Sequence, residues 1–154
     1  MGMSLSADVF WGFDLGYDDD IDDEAMPQWW QNGEDWKEVL ARKLGWNEVP
    51  YPTGGFTGEN YRNSPEYQAW SASRAEMHAL VKACGVEIDG YGYEYGGNAV
   101  RVKASVQGCD YGAGTLMPLG VNADWADQIG RFCELLEIPI PETGPGWHFC
   151  ATWA

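Results

Sequence analysis

Residues 7–13 alternate. Val9, Trp11 and Phe13 fall on one side of the chain, and Asp8, Phe10 and Gly12 on the other. That is the period of a half-buried strand. From Asp14 the alternation stops and acidic residues take over without any period, which predicts a loop over 14–26. Apolar positions return at helical spacing as Trp36, Val39, Leu40 and Leu44, one stripe of an amphipathic helix. Asn32 or Gly33 opens it. Glu34 and Asp35 stand in its first turn and Arg42 and Lys43 in its last, the signs that the helix dipole favours. Gly45 is a natural stop. Trp29 lies one heptad before Trp36, so a start near Pro27 fits the same stripe. Residues 47–63 are rich in Pro and Gly and read as a second loop.

Ser64 then caps a longer helix with Pro65 at its first position. Trp70, Met77, Leu80, Val81 and Cys84 make its buried stripe, and Gly85 ends it. Its centre, Ser71-Ala72-Ser73, is weakly apolar and marks a candidate break. Val86–Asp89 alternates again. So do Val100, Val102, Ala104 and Val106 against Arg101, Lys103 and Ser105, which predicts a hairpin with Glu87 and Asp89 facing Arg101 and Lys103. A third helix is capped by Asn122 and carries Trp125, Ile129, Phe132, Cys133 and Leu136, with Pro139 and Pro141 beyond its end. Trp147, Phe149, Ala151 and Trp153 alternate in a last strand. About four one-faced strands and three amphipathic helices predict a single α+β domain over 1–154. Strands apolar on one face only favour an antiparallel sheet, with the helices packed on that face.

Charge changes this picture most. The chain of 154 residues has net charge −15, from 24 acidic and nine basic residues. The first 36 residues hold ten of the acids and none of the bases. Nucleic-acid binders neutralise phosphates with Lys and Arg, so direct contact with nucleic acid is excluded. Anionic membrane surfaces are disfavoured for the same reason. Met1–Ser6 lacks the cationic start and apolar run of a secretory leader, and no apolar run is long enough to span a membrane. Cys84, Cys109, Cys133 and Cys150 contain no CxxC pair and read as reduced, buried thiols.

The acidic run, Asp18, Asp19, Asp20, Asp22, Asp23 and Glu24, is the first candidate site. Asp18, Asp20 and Asp22 occupy positions 1, 3 and 5 of a calcium loop. Position 6 is Asp23 where glycine is needed, and position 12 is Trp29 where glutamate is needed. No metal or cofactor is therefore assigned. Trp29 and Trp30 follow directly, and two adjacent indoles do not readily face one core. One of them is expected at least half exposed, as an anchor beside a charged rim. Tyr91–Gly97 reads either as a contact loop or as a plain hairpin connection. His78 and His148 have no evident partner for acid–base work, and no catalytic residue is assigned.

The aromatic first strand, the segment Cys84-Gly85-Val86-Glu87-Ile88, the amphipathic third helix and the end Gly146-Trp147-His148-Phe149-Cys150-Ala151-Thr152-Trp153 resemble a group of small bacteriophage-encoded proteins. The likeness covers mostly residues 7–13 and 80–154. It implies a viral origin and a small α+β domain, and it carries no site residue across. Taken with the charge, it implies a non-enzymatic inhibitor acting in the host cytoplasm. Such a protein would bind a Lys/Arg-rich, nucleic-acid-binding surface of a host protein or ribonucleoprotein, in the manner of anti-CRISPR, anti-restriction or partial DNA-mimic proteins. The alternative is an accessory protein whose acidic loop is solvated or loosely binds a divalent metal. A small enzyme is third.

Overall fold

The first strand runs further than its alternation and stands at the centre of the sheet. It is β1, Leu5–Tyr17, in a computed structural model that describes residues 5–17, 21–53, 61–91, 96–110 and 114–153. The first four residues of the expected loop at 14–26 thus belong to a strand. Leu15 packs against the core, which keeps the chain extended there. The acidic position at 14 is absorbed by a bulge between Asp14 and Gly16. The Asp14 carboxylate accepts the Gly16 N–H at 2.8 Å, and Gly16 takes φ +95°, a conformation open to glycine.

Three other strands lie on β1. β3 (Gly97–Val102) pairs with residues 12–17, placing Phe13 opposite Val100. β4 (Gln107–Asp110) pairs with residues 6–9. β5 (Gly146–Trp153) pairs with residues 5–12, placing Trp11 opposite Trp147. Residues 6–9 and 12 each have two partners, so β3 and β4 follow one another along one edge of β1 and β5 lies along the other. β2 (Val86–Tyr91) pairs outside β3. All pairings are antiparallel.

The strand expected through Val106 is broken at Lys103–Ser105 by a 3-10 turn. Ser105 explains the break. Its hydroxyl accepts the Trp11 N–H at 2.8 Å and donates to the Val102 carbonyl at 2.6 Å. The central strand keeps its hydrogen bond where the ladder is interrupted. An unsatisfied buried N–H there would cost about 1–3 kcal/mol.

The first helix is also split. α1 is Gln28–Gln31 and α2 is Trp36–Lys43. Gly33 at φ +67° turns the chain between them. Asp35 is the cap of α2, accepting the Lys37 N–H at 2.9 Å, not a first-turn residue. α3 is Pro65–Ala83, capped by Ser64 through the Tyr67 N–H. It is unbroken at Ser71–Ser73. Ser73 is buried and seats Trp46: the indole N–H reaches the Ser73 carbonyl at 2.9 Å and its hydroxyl at 3.0 Å. The hydroxyl in turn donates to the Asn47 carbonyl. A small side chain is what leaves room for the indole. Trp70 leaves the expected stripe and packs on Tyr51 and Tyr67, at ring separations of 5.0 and 5.5 Å. α4 is Asp124–Leu136. It ends at Glu137, whose left-handed φ of 60° turns the chain before Pro139 is reached.

α2, α3 and α4 cover one face of the sheet. Phe13, Val86, Val100 and Val102 meet Leu40, Met77, Val81, Ile129, Phe132 and Leu136 in one core. Among the described residues, no helix is long and apolar enough to cross a membrane.

Cys84, Cys133 and Cys150 are free. Cys133 lies in the core, and burial pushes its thiol from 9.0 up to about 12. Below the lower value the thiol is protonated in both folded and unfolded chains. Above it the unfolded chain sheds a proton that the folded chain retains. Stability attributable to this residue therefore falls as pH rises from 9.0 toward about 12. Comparing Tm between pH 8 and pH 11 for the parent and Cys133→Ala isolates the effect. The parent is expected to lose more, and parallel losses would refute it.

Candidate functional site

Two polar regions stand out. The first is the acidic turn. Asp18, Asp19 and Asp20 lie outside the described residues. Asp22, Asp23 and Glu24 are exposed, on a turn held by several hydrogen bonds. The Asp22 carbonyl accepts the Ala25 N–H at 2.9 Å, and the Asp23 carbonyl accepts the Met26 N–H at 3.2 Å. The Asp22 carboxylate accepts the Glu24 N–H at 3.1 Å. The Gln31 amide donates to the carbonyls of Asp23 and Met26, both at 2.9 Å, tying the turn to α1.

Apolar side chains fix the turn at both ends. Ile21 packs against the core and Met26 is buried in it. Trp29 follows at 8% exposure, with its indole N–H donating to the Leu136 carbonyl at 2.7 Å. Trp29 is thus a core residue and is removed from the expected contact surface. Trp30 is half-buried and packs on the same core, edge-on to Trp29 at 5.7 Å. Both indoles touch one core, Trp29 inside it and Trp30 half-buried at its edge, so one of the pair is half exposed as expected. Of the expected anchor pair, only part of Trp30 remains accessible.

No cation neutralises this turn among the described residues. Arg42 pairs with Glu34 at 2.5 Å, Lys43 with Glu137 at 3.3 Å, and Arg74 with Glu38 at 2.5 Å. Arg101 and Lys103 pair on the sheet. Five of the nine bases are thereby engaged with carboxylates other than Asp22, Asp23 and Glu24.

The second region escaped the sequence reading. It is the sheet face turned away from the helices. The sheet curls so far that β2 comes within 8 Å of β5, Cα to Cα, although β3 and β1 lie between them. Arg101 sits in this concavity with 14% of its side chain exposed. It pairs with Glu87 at 2.9 Å, with Asp8 at 3.4 Å and with Asp89. Its guanidinium lies over the Phe10 ring at 6.0 Å. His148 stacks on the Phe10 ring, at 5.5 Å and 14°. The Tyr91 hydroxyl crosses the Gly97 backbone to donate to Asp14. The expected facing of Glu87 and Asp89 toward Arg101 is present; Lys103 reaches Glu87 alone, at 3.5 Å. The signal was available in the parity of Asp8, Phe10 and Gly12, whose face holds Arg101 and His148.

The chemistry of this concavity is self-contained. Arg101 already has more carboxylates than it can neutralise. The Cys150 thiol is pushed up by burial and then by the Asp14 and Asp8 carboxylates, with Arg101 opposing. A thiol held protonated is a poor nucleophile. Burial, then the bond to Asp14, also raises the Tyr91 hydroxyl. Among the described residues no three His, Cys, Asp or Glu side chains are placed to hold a metal ion. His78 is exposed on α3. Most of the Tyr–Gly loop, residues 92–95, lies outside the described residues. Compared with known proteins, the chain matches no family model, no curated protein and no solved structure.

Proposed function

We propose that this chain is a non-enzymatic binding protein whose acidic turn occupies a Lys/Arg-rich, nucleic-acid-binding surface of a host defence complex. The contact residues are Asp22, Asp23 and Glu24, the preceding Asp18, Asp19 and Asp20, and the accessible side of Trp30. One observation carries the reading. Three consecutive exposed carboxylates stand on a hydrogen-bonded turn fastened to the core by Ile21 and Met26, with no cation paired to them among the described residues. A turn already ordered loses little conformational freedom on docking. Clustered charge accelerates encounter with an opposite patch. A carboxylate cluster on one side of the fold suits a plug for a single basic patch better than a copy of a whole duplex.

The test uses the protein and Asp22→Lys/Asp23→Lys/Glu24→Lys as paired baits on lysate of a candidate host. The parent is expected to retain a nucleic-acid-binding complex that competitor DNA displaces and that rising salt elutes. The triple variant is expected to bind it roughly tenfold or more weakly. Equal capture by both baits, or capture that DNA does not compete, overturns the proposal.

A further inference from the structure

The helix layer stops short of one end of the sheet. α4 covers Trp147 through Trp125, with rings 6.0 Å apart. Two residues further along β5, Phe149 is 70% exposed. Phe149 lies opposite Val9, and Val9 lies opposite Gln107. Directly opposed residues share a face, so these three form one row across β5, β1 and β4.

That row continues into the segment before α4. The Gln107 side chain accepts the Met117 N–H at 2.7 Å and donates to the Met117 carbonyl at 3.4 Å. The clamp holds an apolar segment beside the sheet with its side chains exposed. Leu116, Met117, Leu119 and Val121 are 48–68% exposed. With Phe149 they present on the order of 500 Å² of apolar surface, near the upper end of what a monomer shows and over half of the ~800 Å² each partner gives a standard interface.

The charge pattern identifies the occupant. Residues 111–123 contain no charged side chain, and neither do residues 143–154. These two stretches supply every exposed residue of the patch. Elsewhere the chain is dense in carboxylates, at net −15. A cationic partner would be met by an acidic rim. A surface stripped of acids is where two strongly acidic chains can approach with the least like-charge repulsion. We infer that this face, centred on Phe149 and Met117, is the contact between two copies of the chain, joined about a twofold axis that sets the same patch on itself. The inference is independent of the role proposed for the acidic turn.

Sedimentation velocity over a concentration series, at low and high salt, tests it. The expected result is a monomer–dimer equilibrium that strengthens with salt, because screening relieves repulsion between two like-charged copies. Binding through the acidic turn weakens with salt, so the two readings fail separately. Phe149→Glu is expected to weaken dimerisation at least tenfold. Met117→Glu, outside the sheet and far from the core, is expected to do the same with Tm unchanged in dilute solution. A monomer at every concentration and salt overturns the inference. So does a dimer indifferent to Met117→Glu, or a ladder of larger aggregates in place of a dimer.

Discussion

Gly12→Ala is expected to destabilise the fold by about 3 kcal/mol or more, the upper range for overpacking a filled interior. A Cβ at Gly12 would stand 2.9 Å from the Arg101 Cα and 3.0 Å from the Val100 carbonyl carbon, and closer still to the Val100 oxygen. All three are backbone atoms of β3. No rotamer change relieves the clash, so β1 and β3 must part where the sheet curls. Gly130→Ala is the matched control. It lies within α4 with nothing inside 4 Å of the added carbon, and alanine there should gain up to about 1 kcal/mol in helix propensity. Urea unfolding of both variants reads the contrast. A Gly12→Ala protein within about 0.5 kcal/mol of the parent would mean that the close approach of the strands is not needed.

Trp29→Ala should cost about 3–5 kcal/mol, lowering Tm by about 10–15 °C for a chain of this size. It removes a large buried ring and leaves the Leu136 carbonyl, which ends α4, without its 2.7 Å donor. Trp29→Phe separates the two contributions. It keeps most of the apolar volume and loses only the N–H, for about 1–2 kcal/mol. Because α1 is tied to the acidic turn through Gln31, the alanine variant should also weaken binding through that turn, while the phenylalanine variant should not. Tm losses under about 3 °C for Trp29→Ala would show that the ring is replaceable.

Periodicity carried most of the fold. The stripe of α4, that of α3 apart from Trp70, the cap at Ser64 and the facing of Glu87 and Arg101 are all local or nearest-strand signals, and each is present. α4 is capped one residue later than expected, at Ala123, with the Asn122 side chain accepting the Asp124 N–H. What periodicity could not carry were pairings distant along the chain. The break at Lys103–Ser105 exists because a hydroxyl serves Trp11, 94 residues away. The tolerance of α3 for Ser73 exists because Trp46 needs a seat. The burial of Trp29 depends on a carbonyl at Leu136. At the acidic turn, charge was legible as a run of letters. Its fixation by Ile21, Met26 and Gln31 was not, since single apolar residues within an acidic stretch have no period. The concavity around Arg101 was hidden for another reason. Polar parity on a strand reads as solvent, and only a sheet bent onto itself converts that parity into an interior.

The central place of β1 has a consequence for biosynthesis. Its ladder partners are β3, β4 and β5, all within residues 97–153. At ~5–20 residues per second, the first strand waits on the order of ten seconds in the ribosome's vicinity before any partner is made. An aromatic strand left unpaired that long is the kind of segment on which nascent chains aggregate. The carboxylates that follow it within a few residues emerge at almost the same moment. Mutual repulsion between neighbouring nascent chains then guards Phe10, Trp11 and Phe13 until the C-terminal third arrives. Neutralising the run should therefore lower the soluble yield during synthesis even where it leaves the finished protein's stability untouched.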